Sequence, residues 1–335
     1  MLKIGIVGAG AIAGVYAEAL KTASRAGLQA VCDIDAAAAE RFASVHGVRA
    51  YATPLAMVEA EGLDAAIVCT PPSTHAAIAI DLLHRNVHVL CEKPLSVDRA
   101  GALAMLEAAK SSGSTLTMGS KFRYAHDVVA AKRFVDSGAI GQVVLFENVF
   151  TSYVDMRSRW NSNAALSGGG VLIDNGTHSV DIMRYFLGAV ASVHAVEGKR
   201  SQGLAVDETV HVFVKNPDDV MGTIDLSWSI QKTTESYIDI YGSEGTISVG
   251  WKQSRMRRNG DPEWTVFGNG YDKVQAFRSQ IENFAAAIAG EEALVIGPAD
   301  ALASVEVVEA IYHALRRDRW ISVPHNADRS RSRVA

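Results

Sequence analysis

Short, predominantly apolar runs alternate with longer Ala- and Leu-rich stretches over the first 120 residues. The runs at 3–7, 28–32, 65–69, 87–91 and 115–118 have the length and character of strands covered on both faces. Between them, 13–26, 36–45, 54–59, 73–85 and 97–112 favour helix by composition. Such alternation predicts βαβ units around a parallel sheet. Its right-handed crossovers bring the loops at the strand C-terminal ends to one edge.

After about residue 123 the period changes. Stretches at 143–153, 190–199, 209–215, 221–230, 237–241 and 245–249 alternate as antiparallel strands do, and Gly242-Ser243-Glu244-Gly245 has the form of a hairpin turn. Helical segments are predicted at 127–137, 171–186, 274–289 and 298–317.

Composition narrows the class. Hydrophobic residues make up 48% and charged residues 21% of 335 positions, with a formal net charge of -5. That is a globular mix with no electrostatic reason to attract nucleic acid or acidic membranes. Apolar segments fall short of the ~18–20 residues of a membrane span or are broken by charge. The first residues run straight into a strand and a glycine turn, with no charged leader ahead of an apolar core, so a cytoplasmic location is expected. Cys32, Cys69 and Cys91 form no C-x-x-C pair and sit in apolar runs, as small buried hydrophobes do, and no metal site is expected.

Gly8-Ala9-Gly10-Ala11-Ile12-Ala13 follows the first strand and opens a helix, the G-x-G-x-x-A dinucleotide fingerprint. Gly8 permits the tight turn and Gly10 lets backbone approach a pyrophosphate. Ala13 allows close helix packing, while Ala11 and Ile12 bring the helix N-terminus to the anion. Asp33 ends the second strand, where a carboxylate accepts from ribose hydroxyls; the alternative is a helix cap. Neither Ile34 nor Asp35 offers a cation for a 2′-phosphate, so NAD is favoured over NADP. Thr70, Pro71 and His75 follow the third strand as a proline-stiffened loop beside the cofactor, although His75 could equally cap its helix.

The predicted fold class is therefore α/β plus α+β. A Rossmann doubly wound parallel sheet occupies 1–122, and a largely antiparallel sheet domain occupies 123–325. The Arg/Ser-rich residues 326–335 are expected to form a frayed tail.

Two groups of residues carry candidate chemistry. Glu92-Lys93-Pro94 stands at the end of the fourth strand, the edge where open α/β sheets bind ligands, and Lys93-Pro94 is a candidate cis bond. Gly168-Gly169-Gly170 precedes Asp174, His178 and Asp181; on a regular helix Asp174 and His178 share a face at i, i+4. By spacing alone that pair is catalytic or merely structural.

Together, Gly8 to Ala13, Glu92-Lys93-Pro94 and the glycine run with Asp174 and His178 resemble the Gfo/Idh/MocA family of glucose-fructose oxidoreductases and inositol dehydrogenases. The resemblance runs from Lys3 to about Pro324 and includes Phe277, Ile281 and Phe284 ahead of a Gly-Pro-Ala-Asp turn ending at Asp300. It implies a catalytic lysine, aspartate and histidine, matched by Lys93, Asp174 and His178, and a sheet face used for homo-oligomers, dimers or tetramers. It also implies hydride transfer between NAD(P) and a hydroxyl-bearing carbon of a sugar, cyclitol or related polyol. One segment departs from the family pattern. Ser120-Lys121-Phe122-Arg123-Tyr124 stands where many members carry Asn-Arg, which puts substrate contacts at Lys121 and Arg123 in doubt.

Imidazole, with an ordinary pKa of about 6.5, suits proton exchange with an alcohol. His178 is the expected acid/base, Lys93 the cation for the reacting oxygen and Asp174 the orienting carboxylate. Arg157, Arg159, Trp160 and Asn161 are expected near the substrate or on the surface. Rival readings are an NAD-dependent glycoside hydrolase, an imine or tetrapyrrole reductase, and a non-catalytic dinucleotide sensor.

Overall fold

The computed structural model describes residues 1–323, so the tail expected at 326–335 lies outside the described residues. The chain divides into two units. One comprises Met1–Tyr124 with Asp272–Leu302, the other Ala125–Tyr271 with Ala303–Ala335.

In the first unit the elements run β1 (Leu2–Val7), α1 (Ala11–Leu20), β2 (Ala26–Cys32), α2 (Ala36–His46), β3 (Arg49–Tyr51), α3 (Pro54–Glu61) and β4 (Ala65–Val68). They continue with α4 (His75–His84), β5 (His88–Glu92), α5 (Arg99–Ser112) and β6 (Leu116–Gly119). All strand pairs are parallel, in the order β3-β2-β1-β4-β5-β6 of a doubly wound dinucleotide fold. The expected helix at 13–26 is corrected at its end. The helix stops at Leu20, and Ala26 pairs with Leu2 as the start of β2. Strand β3, only three residues long, carried too short a pattern to be predicted.

The second unit begins with α6 (His126–Asp136), β7 (Val143–Thr151), α7 (Ala164–Ser167) and α8 (Thr177–Leu187). Strands β8 (Ser192–Glu197), β9 (Thr209–Lys215), β10 (Met221–Ser227), β11 (Ser236–Gly242) and β12 (Gly245–Gly250) follow, then β13 (Ser254–Arg258) and β14 (Thr265–Gly268). Two long helices close the chain, α9 (Lys273–Ile288) and α10 (Pro298–Arg317), before β15 (Ile321–Ser322).

The nine-stranded sheet has the order β14-β13-β12-β11-β7-β10-β9-β8-β15. It is antiparallel except where β10 runs parallel to β7. Two helices and two strands lie between that pair in sequence, long enough for a crossover. Inward residues Phe146, Ile224, Leu226, Ile238 and Ile240 alternate with outward ones such as Glu147, Asp225 and Asp239, and the Phe186 ring of α8 packs 5.8 Å from Phe146.

A continuous second domain over 123–325 does not match the packing. Helix α9 buries Phe277, Ile281 and Phe284 in one apolar cluster with Ile4, Ile6, Tyr16 and Leu90 of the first unit. Each such side chain contributes about 1.5–3 kcal/mol by leaving water. The three aromatic and aliphatic positions at helical spacing therefore explain why the chain returns to its first unit.

Candidate functional site

The first unit holds a dinucleotide cradle. Gly8 has φ +95, and a Cβ there would meet the Cys69 carbonyl carbon and oxygen at 3.0 Å, so the turn accepts only glycine without strain. Gly10 differs: a Cβ added to it meets nothing within 4 Å. As the N-cap of α1 it supplies no side-chain cap, so the first amides of that helix receive no bond from the capping residue's side chain. A helix N-terminus bordered by room for backbone approach fits a pyrophosphate.

Asp33 is half-buried. Its Oδ2 accepts the Ala9 amide at 2.7 Å and its Oδ1 the Asp35 amide at 2.8 Å. One of its roughly four lone-pair sites thus locks the glycine loop and a second its own turn, leaving acceptor capacity for ribose hydroxyls. The helix cap is Asp35 instead, accepting from Ala37 and Ala38. Ile34 beside it is fully exposed. These residues fit NAD.

His75, expected at the cofactor, is corrected to a brace. It is fully buried, with Nδ1 2.8 Å from the Pro94 carbonyl and Nε2 2.8 Å from the Thr70 carbonyl, so neither nitrogen is left to offer a ligand. Burial pushes its pKa down, against the pull of those two carbonyls. It ties the Thr70-Pro71 loop to the Lys93–Pro94 bond, which is cis as expected.

Beneath Lys93 lies a network that the sequence did not announce. The buried Glu92 accepts from Tyr16 Oη at 2.7 Å and from the Lys93 amide at 3.2 Å, and Gln280 Nε2 donates to Tyr16 Oη at 2.9 Å. Burial raises the Glu92 carboxyl above its ordinary value, while Lys121, Lys93 and the Tyr16 hydroxyl oppose the rise. Lys121 sits with Nζ 4.8 Å from the Phe122 ring centroid and 5.9 Å from that of Phe277. Arg123 does not reach out to a substrate: it is 4% exposed, lies 3.7 Å from Asp300 and donates to the Val295 carbonyl at 3.5 Å. The only earlier hint of Tyr16 was its place on the same helix as Ala13, one turn on.

In the second unit Asp174 and His178 are set on an irregular helix. A π-turn, Leu172–Gly176, leads into α8, so the pair does not stand at the regular i, i+4 offset expected. The wider turn carries one more residue, and the Thr177 hydroxyl donates to the Ile173 carbonyl at 2.7 Å. His178 is buried, Asp174 half-buried, and Asp181 fully buried, where it accepts from Ser304 at 3.4 Å. Arg157, Arg159 and Trp160 are exposed and Asn161 half-buried; Arg157 forms a two-pronged pair with Asp155 at 2.9 and 2.6 Å.

Among the described residues no group of three or more His, Cys, Asp or Glu is arranged to hold a metal, and no helix is long and apolar enough to cross a membrane. The NAD-binding Rossmann model of an oxidoreductase family matches residues 2–120, and the GFO/IDH/MocA C-terminal domain model matches 128–248. The chain belongs to the Gfo/Idh/MocA family.

This Gfo/Idh/MocA protein is thus an NAD-binding oxidoreductase. It is 27% identical to an inositol 2-dehydrogenase of Rhizobium meliloti, covering 96% of this chain and 99% of that one. It is 29% identical to the rhizopine catabolism protein MocA of Rhizobium meliloti, covering 94% and 96%. Among solved structures it is similar to GenD2 from gentamicin A biosynthesis in complex with NAD, with a TM-score of 0.86, 27% identity and 97% of each chain covered. Levoglucosan dehydrogenase, at 20% identity and a TM-score of 0.87 over 96% of this chain and 99% of that one, shares the fold.

Proposed function

We propose that this protein is an NAD-dependent dehydrogenase of a sugar, cyclitol or related polyol. The observation that carries the reading is the retention of Lys93, Asp174 and His178 in a chain similar along nearly its whole length to an inositol 2-dehydrogenase. NAD in the cradle supplies a hydride acceptor. Lys93 holds the reacting oxygen with its ammonium and stabilises developing alkoxide charge. His178 takes the hydroxyl proton on an imidazole nitrogen and returns it in the reverse direction. Asp174 orients the substrate by accepting from a hydroxyl. Lys121, Arg159, Trp160 and Asn161 are proposed as further substrate contacts. Asp33 selects NAD over NADP by repelling a 2′-phosphate.

The protein works in the cytoplasm as a homo-oligomer, a dimer or tetramer. Support for the oligomer comes from the outward sheet face, where Phe213, Met221 and Tyr241 are exposed; light scattering in solution tests it.

The test of function is a screen of cyclitols, aldoses, aminosugars and uronates with NAD and with NADP, following nicotinamide reduction. Turnover of a polyol with NAD is expected. Release of a sugar substituent without net nicotinamide reduction would instead identify a glycoside hydrolase. Binding of NAD without turnover of any panel member would favour a sensor, and oxidation of NADH by an imine or a linear tetrapyrrole would favour a reductase. Lys93→Ala and His178→Ala are expected to lower kcat by orders of magnitude with NADH affinity kept within a few-fold, whereas Asp174→Ala mainly raises KM.

A further inference from the structure

The lead-in to the π-turn is held by one residue distant in sequence. Gly170 N donates to Asp207 Oδ1 at 3.0 Å, Val171 N to the Asp207 carbonyl at 2.8 Å and Leu172 N to Asp207 Oδ2 at 2.8 Å. Three consecutive amides at a helix start, which have no partner within the helix, thus converge on a single aspartate. A carboxylate at a helix N-terminus is also favoured by the helix dipole.

Tyr312 completes the clamp. Its Oη lies 3.1 Å from Asp207 Oδ1, as donor, and 3.3 Å from Gly170 N, as acceptor. The glycines are what permit it. A Cβ on Gly169 would lie 2.1 Å from Tyr312 Oη, and one on Gly170 would lie 2.0 Å from the Asp207 carbonyl oxygen. Asp207 itself is 5% exposed, so water does not compete for these bonds. The clamp ends at Leu172, where the π-turn carrying Asp174 begins, and His178 follows in the first turn of α8. Isolated π-turns are rare and need their surroundings to hold them.

We propose that Asp207, braced by Tyr312, is a positioning residue that fixes the lead-in to the π-turn and thereby the orientation of Asp174 and His178 for proton transfer. The inference rests on the acid/base reading of His178.

The test uses the full-length protein with Asp207→Asn and Tyr312→Phe, assayed on the panel polyol that wild type turns over fastest. Asparagine keeps the size but turns one acceptor into a donor facing an amide. Small misplacement of a reacting group can cost about 100-fold in rate. Asp207→Asn is therefore expected to lower kcat by roughly 10- to 100-fold with KM within a few-fold, and Tyr312→Phe to lower it less. NADH affinity is expected to stay within about two-fold, since the cradle makes no use of the clamp, and faster amide hydrogen exchange should be confined to 168–176.

An Asp207→Asn protein whose amides at 170–172 exchange faster while kcat stays within about two-fold of wild type overturns the proposal. So does loosening spread evenly over the whole chain. If Asp207→Asn does not fold, Tyr312→Phe decides on the same readouts. His178→Ala separates the two ideas. Retained turnover in that variant sinks the acid/base reading, whereas loss of turnover there with an unaffected Asp207→Asn sinks only the positioning role.

Discussion

Tyr16→Phe isolates the polar network under Lys93. The tyrosine is fully buried, its ring meets Phe277 edge-on at 4.6 Å, and its hydroxyl makes two bonds, to Glu92 at 2.7 Å and from Gln280 at 2.9 Å. Phenylalanine keeps the ring contact and deletes only those bonds. Loss of the bond to the carboxylate costs about 1.5–3 kcal/mol and of the amide bond about 0.5–1.5 kcal/mol; omission of the buried hydroxyl returns part of this, leaving about 2–3 kcal/mol. With about 2–4 °C per kcal/mol for a unit of this size, unfolding of the first unit should shift down by roughly 4–12 °C.

The same variant has a pH signature. Burial holds the Glu92 carboxyl above the ordinary value of 4.5, and Tyr16 is one of the groups opposing that rise. A carboxyl with a raised folded value contributes stability that is full below the unfolded value and is lost as pH climbs through the folded one. Removing Tyr16 raises the folded value further, so the cost of the substitution should grow as pH rises above the unfolded value and through the folded one. Chemical denaturation of both proteins across that range measures it, with Glu92→Gln as the background in which the pH dependence disappears. A thermal unfolding midpoint at neutral pH within about 1 °C of wild type, or a cost by chemical denaturation that shrinks with rising pH, refutes the reasoning.

Other substitutions separate fold from cofactor. Gly8→Ala should destabilise the first unit by a few kcal/mol, ~1–3, because φ +95 and the Cys69 backbone leave no room; thermal unfolding reads this. Gly10→Val should leave that transition nearly unmoved, since open space surrounds the position, but weaken NADH binding at least tenfold in a fluorescence titration. Asp33→Ser with Ile34→Arg should turn the preference toward NADP, read as the ratio of the two dissociation constants, by removing one repulsion and adding a phosphate partner. An unchanged ratio would mean that Asp33 acts only on the glycine loop it already holds through Ala9.

Local pattern made much of this legible in the chain. The glycine fingerprint, Asp33 and the alternation of strand and helix are short-range features, because each depends on backbone freedom or side-chain period within a few residues. Strand β9 and helix α10 could be placed to the residue for that reason. Tertiary structure decided what depends on distant partners. Helix α9 packs with the first unit because its apolar stripe fits the Tyr16 cluster, a match invisible from residue 277 alone. His75 and Arg123 read as ligand contacts until burial and the carbonyls of Thr70, Pro94 and Val295 claimed them. The Asp174–His178 spacing implied a regular helix, but amides tied to Asp207, more than thirty residues on, sit at the lead-in to a π-turn instead. A helix start leaves its amides unsatisfied within the helix, so its geometry is set by whatever the fold brings to them.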